Sequence, residues 1–452
     1  MYRILQRELS LWQQSSSRKP LILKGARQVG KTYLLKSWGK EAFARVHYIN
    51  LEKDSDARNS FDRDFNVARI VSELSFTLGS TINVETDLLI LDEIQECPRA
   101  ITALKYFCED LPKLAVACAG SLLGVKLSPE PFPVGKVDFL ILHPMTFEEF
   151  LLAADSKKTL DHLPPPSLDA QIPAVIQSHL WDLLKIYFVT GGMPEVVGTV
   201  FESSNKGALV SPENLLTARR IQRAIVTSYE SDIAKHAGKL NATHIHALYR
   251  NIPSQITAVH DESIRRFQFG DVLSGKKGFA VWERPIQWLK NAGLIHQIKI
   301  ANKPDFPLEH YTKPNMFKLV PHDIGLLGCL LDLPPQVIIQ QDFGLAKGFF
   351  TEVYVAQCLA ALAPADKEEQ LYCWQEGESE VEFIRSSGNA IIPIEVKSGT
   401  RTKARSLGEY ISRYHPPVAI KMSAKPMSFD QNRRILNLPL SLAHWIKSFD
   451  FS

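Results

Sequence analysis

The chain has 452 residues, 45% of them apolar and 22% charged, which excludes a disordered or fibrous protein and, at this length, a single core. Its formal net charge of +3 is too small to mark a nucleic-acid binder or an acidic solvator, so any basic patch must be local. Cys97, Cys108, Cys118, Cys329, Cys358 and Cys373 form no CxxC pair and have no zinc-type spacing, and they read as reduced thiols.

The first stretch, MYRILQRELSLWQQ, carries charges every few residues and lacks the apolar core of a signal peptide. No apolar run approaches the roughly eighteen residues of a membrane span, so a cytoplasmic protein without a membrane partner is expected. From PLILKGA to KLAVACAGS, short strands rich in Leu, Ile and Val alternate with helical stretches. That is the pattern of a doubly wound α/β domain with a parallel sheet, expected over residues 1–152. Ser, Asp, Lys and three consecutive prolines then interrupt the periodicity, which predicts a linker over 153–174. Residues 175–310 are mostly helical in spacing and close on WERPIQWLKNAGLIHQIKI, a helix and then a strand, the order found in winged-helix modules. The last unit, 311–452, reads as a smaller α/β domain: a strand and turn in NMFKLVPHDIGLL, a helix in KGFFTEVYVAQCLAALAP, and strands in QLYCWQ, SEVEFIRSS and AIIPIEVKSG.

Between the first predicted strand and helix stand Gly25, Ala26, Arg27, Gln28, Val29, Gly30, Lys31 and Thr32, followed by Tyr33. They match GxxxxGK[ST] at every fixed position and in the required context. Backbone N–H groups of such a loop and of the following helix N-terminus point at phosphate oxygens. Lys31 reaches the β- and γ-phosphates, and the Thr32 hydroxyl can ligate Mg²⁺. Downstream, DLLILDE places Asp92 and Glu93 at the end of a buried strand, the first suited to the Mg²⁺ shell and the second to polarising the attacking water. Ser121, at the end of the next strand, is either a sensor of the γ-phosphate or the cap of a turn.

The order of KGARQVGKT, YINLE, LLILDEIQECP, ACAGSLLGV, VGKVDFLILHPMTFEEF, GGMPEVV, DIAKH and KLVPHDIGLL resembles that of a bacterial and archaeal family of AAA-type ATPases with a C-terminal domain of uncharacterised function. The resemblance covers nearly the whole chain. It implies ATP rather than GTP, a P-loop core, a helical and winged-helix-like middle, and a restriction-endonuclease-like end. Where relatives carry an arginine, this chain has Lys136, which keeps the charge and loses the planar fork of an arginine finger. Arg219, Arg220 and Arg223 are alternative cations.

In the middle, Gly191-Gly192-Met193-Pro194-Glu195 reads as a helix stop and a tight turn. The segment from Arg219 to His236 mixes both charges, as a solvated face does, and could also meet a neighbouring subunit or a nucleic-acid backbone. Arg265, Arg266, Lys276 and Lys277 flank the predicted winged helix and carry a duplex-binding reading.

Near the end, Glu395 and Lys397 lie two apart on a predicted strand and so share a face. Glu382 occupies the preceding strand and Glu352 the upstream helix. Together they resemble the PD-(D/E)XK nuclease core, in which acidic groups such as Glu382 and Glu395 hold Mg²⁺ and a lysine orients the attacking water. Relatives most often have aspartate where Glu382 stands. The expected function is a Mg²⁺-dependent ATPase coupled to a nuclease-like domain, with DNA as a possible partner. The rival is an ATP-dependent switch that grips a protein partner through a silent nuclease-like fold.

Overall fold

Five apolar runs form one parallel sheet: β1 (Leu21–Lys24), β2 (Arg45–Asn50), β3 (Asp87–Asp92), β4 (Ala115–Ala119) and β5 (Asp138–Ile141), in the order β2-β3-β4-β1-β5. The computed structural model describes residues 1–121, 132–154, 157–202, 210–257, 266–275, 278–340, 346–398 and 405–449. β3 and β4 are buried at every position, as central strands must be. Strand alternation divides the side chains between two cores. Ile22, Leu89, Leu91, Val116 and Cys118 pack under helices Val67–Leu78 and Pro98–Asp110. Leu21, Leu23, Leu88, Ile90 and Ala117 pack under helix Lys31–Ala42. The doubly wound α/β expectation matches this sheet.

The second of these cores does not stop at the five-stranded sheet. Ile225, Tyr229, Leu248, Trp282 and Leu289 belong to it, carried by helices Pro212–His236, Lys239–Thr257 and Phe279–Asn291. The helical middle therefore has no separate core of its own.

Eight strands make the second sheet: β6 (Ile295–Ala301), β7 (Thr312–Pro321), β8 (Leu371–Glu376), β9 (Ser379–Ser387), β10 (Ala390–Val396), β11 (Ala419–Ser423), β12 (Ser428–Asp430) and β13 (Ile435–Pro439). Their order is β12-β13-β11-β10-β9-β8-β6-β7. β6 pairs antiparallel with β7 and parallel with β8, so the boundary expected at residue 310 runs through a hairpin that is part of this sheet. Burial explains the difference: Ile298 and Ile300 pack in one cluster with Leu371 and Cys373, and a free-standing wing would leave them exposed. The segment expected as a linker is packed too. It contains a helix at Lys157–Asp161, and Ala170 and Ile172 are buried in the same apolar cluster as residues of the C-terminal strands.

Helix Ala346–Ala361 covers one face of the sheet through Phe350, Val353 and Tyr354, and helix Arg405–Tyr414 covers the other through Leu407 and Tyr410. Three parts of the chain meet at Gly191-Gly192. The Gly192 N–H donates to the Asp323 carboxylate at 2.7 Å, and its carbonyl accepts from the Met145 N–H at 2.6 Å. Asp323 also caps helix Ile324–Leu330 by accepting from the Leu326 N–H at 3.0 Å. Burial raises its pKa to about 6 against the pull of these N–H groups. All six cysteines are free, and among the described residues no helix is long and apolar enough to cross a membrane.

Candidate functional site

The glycine-rich loop turns between β1 and helix Lys31–Ala42 with three residues at positive φ: Gly25 at 147°, Gln28 at 67° and Gly30 at 93°. A Cβ on Gly25 would lie 2.3 Å from the Leu142 carbonyl oxygen, so only glycine fits where the loop crosses the end of β5. Lys31 Nζ donates to the Gly25 and Ala26 carbonyls, each at 2.8 Å. Burial lowers its pKa to about 8, against the raising charges of Glu93 and Asp92.

Asp92, the last residue of β3, is held on both oxygens. Oδ2 accepts from the Thr32 hydroxyl and the Tyr48 hydroxyl, each at 2.9 Å, and Oδ1 accepts from the Glu93 N–H at 3.1 Å. Glu93 itself is left-handed, with φ 52° and ψ 44°, a strained backbone for a glutamate. That turn breaks the strand and aims the side chain back over the loop, where Gln95 Nε2 donates to its carboxylate at 2.6 Å. Lys31, Thr32, Asp92, Glu93 and Ser121 all line one cavity of about 430 Å³, a volume ordinary for a cofactor-sized ligand. Thr32 and Asp92 offer hard oxygens side by side, the donor set Mg²⁺ takes beside phosphate.

Residues 17–151 match the AAA domain family. Residues 182–337 and 347–441 match two further family models, described as domains of unknown function, DUF8612 and DUF4143. No curated protein matches the chain. Among solved structures, a Walker-type ATPase of Pyrococcus abyssi aligns at 12% identity and a TM-score of 0.43, over 72% of this chain and 93% of that one. The Thermotoga maritima RuvB Holliday junction branch migration motor aligns at 14% and 0.33, over 70% and 91%. The Aeropyrum pernix Orc1 protein, solved in complex with DNA, aligns at 12% and 0.28, over 74% and 92%. These likenesses are too distant to carry a function. The first domain has a P-loop ATPase fold, with its sequence motifs gathered at the carboxyl ends of β1, β3 and β4.

The surroundings of the loop were not legible from spacing. Arg3 donates to the Val29 carbonyl at 2.8 Å and the His143 carbonyl at 2.6 Å, and pairs with Glu149 at 3.1 Å. Arg27 pairs with Asp232 near the end of helix Pro212–His236, and Tyr229 of the same helix donates its hydroxyl to the Arg27 carbonyl at 2.9 Å. The hydrogen bond that Arg27 donates to Asp232 holds its guanidinium above the usual range. Lys235 and Glu52 pair at 3.2 Å across the same junction. The motif DIAKH is thus the helix end that grips the P-loop.

The expected cations lie elsewhere. Lys136 pairs with Glu109 at 2.8 Å and does not line the cavity. Arg219 is buried on the Gly325 and Leu333 carbonyls and Gln222; Arg223 pairs with Asp332 at 2.9 Å; Arg220 bonds Thr217 at 3.0 Å. Arg3 and Arg27 are the arginines that line the cavity among the described residues. Arg265, Lys276 and Lys277 lie outside the described residues, and Arg266 sits at a small pocket with Lys318 and Glu352.

In the second sheet Glu382, Glu395 and Lys397 come together. Lys397 Nζ lies 2.6 Å from Glu395 and 3.2 Å from Glu382, and Glu382 also accepts from the Val396 N–H at 3.1 Å. Between Val381 and Ile384, β9 takes three steps where β8 takes two, so a bulge falls at Glu382 and re-aims it. Two carboxylates, the buried Glu395 and the partly exposed Glu382, share one ammonium. Burial first, and the Glu382 charge second, push Glu395 up to about 8. Burial lowers Lys397, but its two carboxylates raise it by more. One Glu395 oxygen is buried without a partner, which fits a cation at this pair. Glu352 does not join them. It stands with Glu380 and Cys373 around Lys318, whose ammonium these carboxylates hold up against burial.

Behind the P-loop, His143, His296 and His322 line a second cavity, which Lys24, Lys290, Glu368 and Glu369 also face. Burial lowers their pKa values to about 4, about 3 and about 4, with Arg3 adding to the effect on His143 and the other imidazoles adding to that on His296. Unfolded histidines titrate near 6.5, so below that pH the unfolded chain binds more protons than the folded one. The stability tied to these neutral rings is complete above pH 6.5 and falls as pH drops toward the folded values, by about 1.4 kcal/mol per pH unit for each ring. In urea unfolding, His296→Gln is expected to gain about 1 kcal/mol on wild type between about pH 7.5 and about pH 5.5. A gap that stays constant with pH would show His296 free to protonate in the folded chain.

Proposed function

We propose that this chain binds ATP in the P-loop cavity, hydrolyses it, and uses nucleotide state to move the helical middle and the C-terminal sheet. The observation that carries this is the Thr32–Asp92 hydrogen bond beside a strained Glu93, all on one cavity with Lys31. Lys31 exchanges the Gly25 and Ala26 carbonyls for the β- and γ-phosphate oxygens, which are stronger acceptors. Backbone N–H groups from Ala26 to Thr32, with Tyr33 next in the helix, cradle the phosphates. Thr32 and Asp92 hold Mg²⁺, which when bound neutralises charge between the β- and γ-phosphates. Glu93 accepts a proton from the attacking water, and Ser121 stands between that water and the γ-phosphate. Because Asp232 and Tyr229 hold the loop itself, a change at Arg27 is felt along helix Pro212–His236.

For the output, the Glu382–Glu395–Lys397 cluster with its unpartnered oxygen supports a PD-(D/E)XK-like, metal-binding site that acts on a phosphodiester. The silent-platform reading has its own support: Lys397 already engages both carboxylates, and Glu352 stands apart with Lys318. Hydrolysis assayed with and without linear duplex DNA, beside Glu395→Ala/Lys397→Ala, separates the two. Stimulated turnover and cutting that the double variant abolishes is the nuclease outcome. Turnover indifferent to DNA, with the DNA intact, is the outcome for a switch acting on a protein partner.

A further inference from the structure

The cavity behind the P-loop holds about 300 Å³ and lies at the carboxyl ends of β4, β1 and β5, roofed by the C-terminal module. It is a different space from the nucleotide cavity, but Ser121 lines both, and the backbone of Gly25 and Ala26 forms part of its wall. Ligands of open parallel sheets sit in this kind of crevice.

Its donors and acceptors define a ligand. His322 is 1% exposed, and its Nδ1 lies 3.0 Å from the Leu294 carbonyl oxygen. A carbonyl only accepts, so Nδ1 carries the proton and Nε2 is a bare acceptor; that Nε2 is buried with no partner. The site therefore lacks a hydrogen-bond donor at His322. It is also supplied with cations. Lys24 lines it from the end of β1, its ammonium resting 4.2 Å from the centre of the Phe139 ring at the rim, and Lys290 from the facing helix donates to Gln297 at 2.8 Å. Of the two carboxylates on the wall, Glu369 lies 3.7 Å from Arg385 and Glu368 sits in the field of Lys290.

We propose that this cavity receives the inorganic phosphate released by ATP hydrolysis, with Lys24 and Lys290 on its anionic oxygens and its P–OH donating to His322 Nε2. The proposal rests on the ATPase reading above. In that reaction a water oxygen bonds to the γ-phosphorus, the bond to the ADP oxygen breaks with its electron pair on ADP, one water proton passes to Glu93, and the other stays on the product, which is hydrogen phosphate with some of its dihydrogen form near neutral pH. Hydrogen phosphate carries both features the cavity asks for. Sulfate has the same shape and charge but no proton to give, and it would leave His322 unpaired. Phosphate held here touches Ser121 on one side and the strand β6 on the other, so its departure is registered by the C-terminal sheet.

The test uses the full chain saturated with Mg²⁺ and a non-hydrolysable ATP analogue, so that the P-loop's own phosphate positions are filled. Calorimetric titration with inorganic phosphate is expected to show binding, and titration with sulfate binding weaker by about tenfold or more. His322→Asn keeps a donor for the Leu294 carbonyl and deletes the Nε2 acceptor, and it is expected to erase the preference. Lys24→Gln is expected to weaken phosphate binding whether or not the His322 variant folds, and in turnover to shorten the delay between cleavage in quenched samples and phosphate seen by a fluorescent sensor. Equal affinity for the two anions, or no phosphate binding, would overturn the assignment. A wild-type chain that binds phosphate here but hydrolyses no ATP would overturn the product role and the ATPase reading together. Hydrolysis with a release delay unaltered in Lys24→Gln would overturn the product role alone.

Discussion

Glu93→Gln is expected to lower ATP turnover by about 100-fold or more while nucleotide affinity stays within a few-fold of wild type. The substitution keeps the size of the side chain and the hydrogen bond to Gln95, and it leaves Asp92 and Thr32 in contact. It removes only the oxygen able to take a proton from water. Lys31→Ala is expected to behave differently and to lose tight nucleotide binding, because no other lysine lines the cavity among the described residues. Steady-state hydrolysis and titration with a fluorescent ATP analogue read the two effects separately. Wild-type turnover in Glu93→Gln would remove Glu93 from the chemistry, and unchanged binding in Lys31→Ala would remove the P-loop from the site.

A second large effect is expected far from the nucleotide. Gly192→Ala should destabilise the chain by about 3 kcal/mol or more. A Cβ at that position would lie 2.1 Å from the Met145 carbonyl oxygen and 2.7 Å from its nitrogen. The backbone has no room to retreat, since Gly192 is tied to Asp323 on one side and to Met145 on the other. Those bonds join the end of the ATPase domain, the helical middle and the start of helix Ile324–Leu330, so the loss should appear as separation of modules rather than local fraying. Gly348→Ala is the control: a Cβ there meets nothing within 4 Å, and in a helix the change should be neutral or mildly stabilising. Thermal unfolding of both variants, with limited proteolysis of the junctions, checks the contrast. Equal stability of the two would leave the Gly191-Gly192 turn as an ordinary helix stop.

Local causes bring some of these residues together. A loop of two glycines before Lys31 and Thr32 must present its N–H groups to an anion, and a strand ending in Asp92-Glu93 must bring those carboxylates to the same edge. Glu395 lies near the end of β10 and Lys397 just beyond it, and the two side chains meet at 2.6 Å. The corrections concern residues whose partners lie far along the chain. Arg27 meets Asp232, and Gly192 meets Asp323, because sheets and helices pack their apolar faces in a particular order, and no spacing rule encodes that order. Glu352 stands with Lys318 while Glu382 joins Lys397, since one extra residue in β9 redirects its side chains. The hairpin β6–β7 belongs to the second sheet, and the helical middle divides between the two cores, helix Ala174–Thr190 with the second sheet and the later helices with the first, for one reason: half-apolar faces bury against whichever neighbour closes them. Short-range geometry and alternation were enough to locate the phosphate loop, whereas the grip of the long helix on that loop, and the histidine-lined cavity behind it, exist only once burial has brought distant segments together.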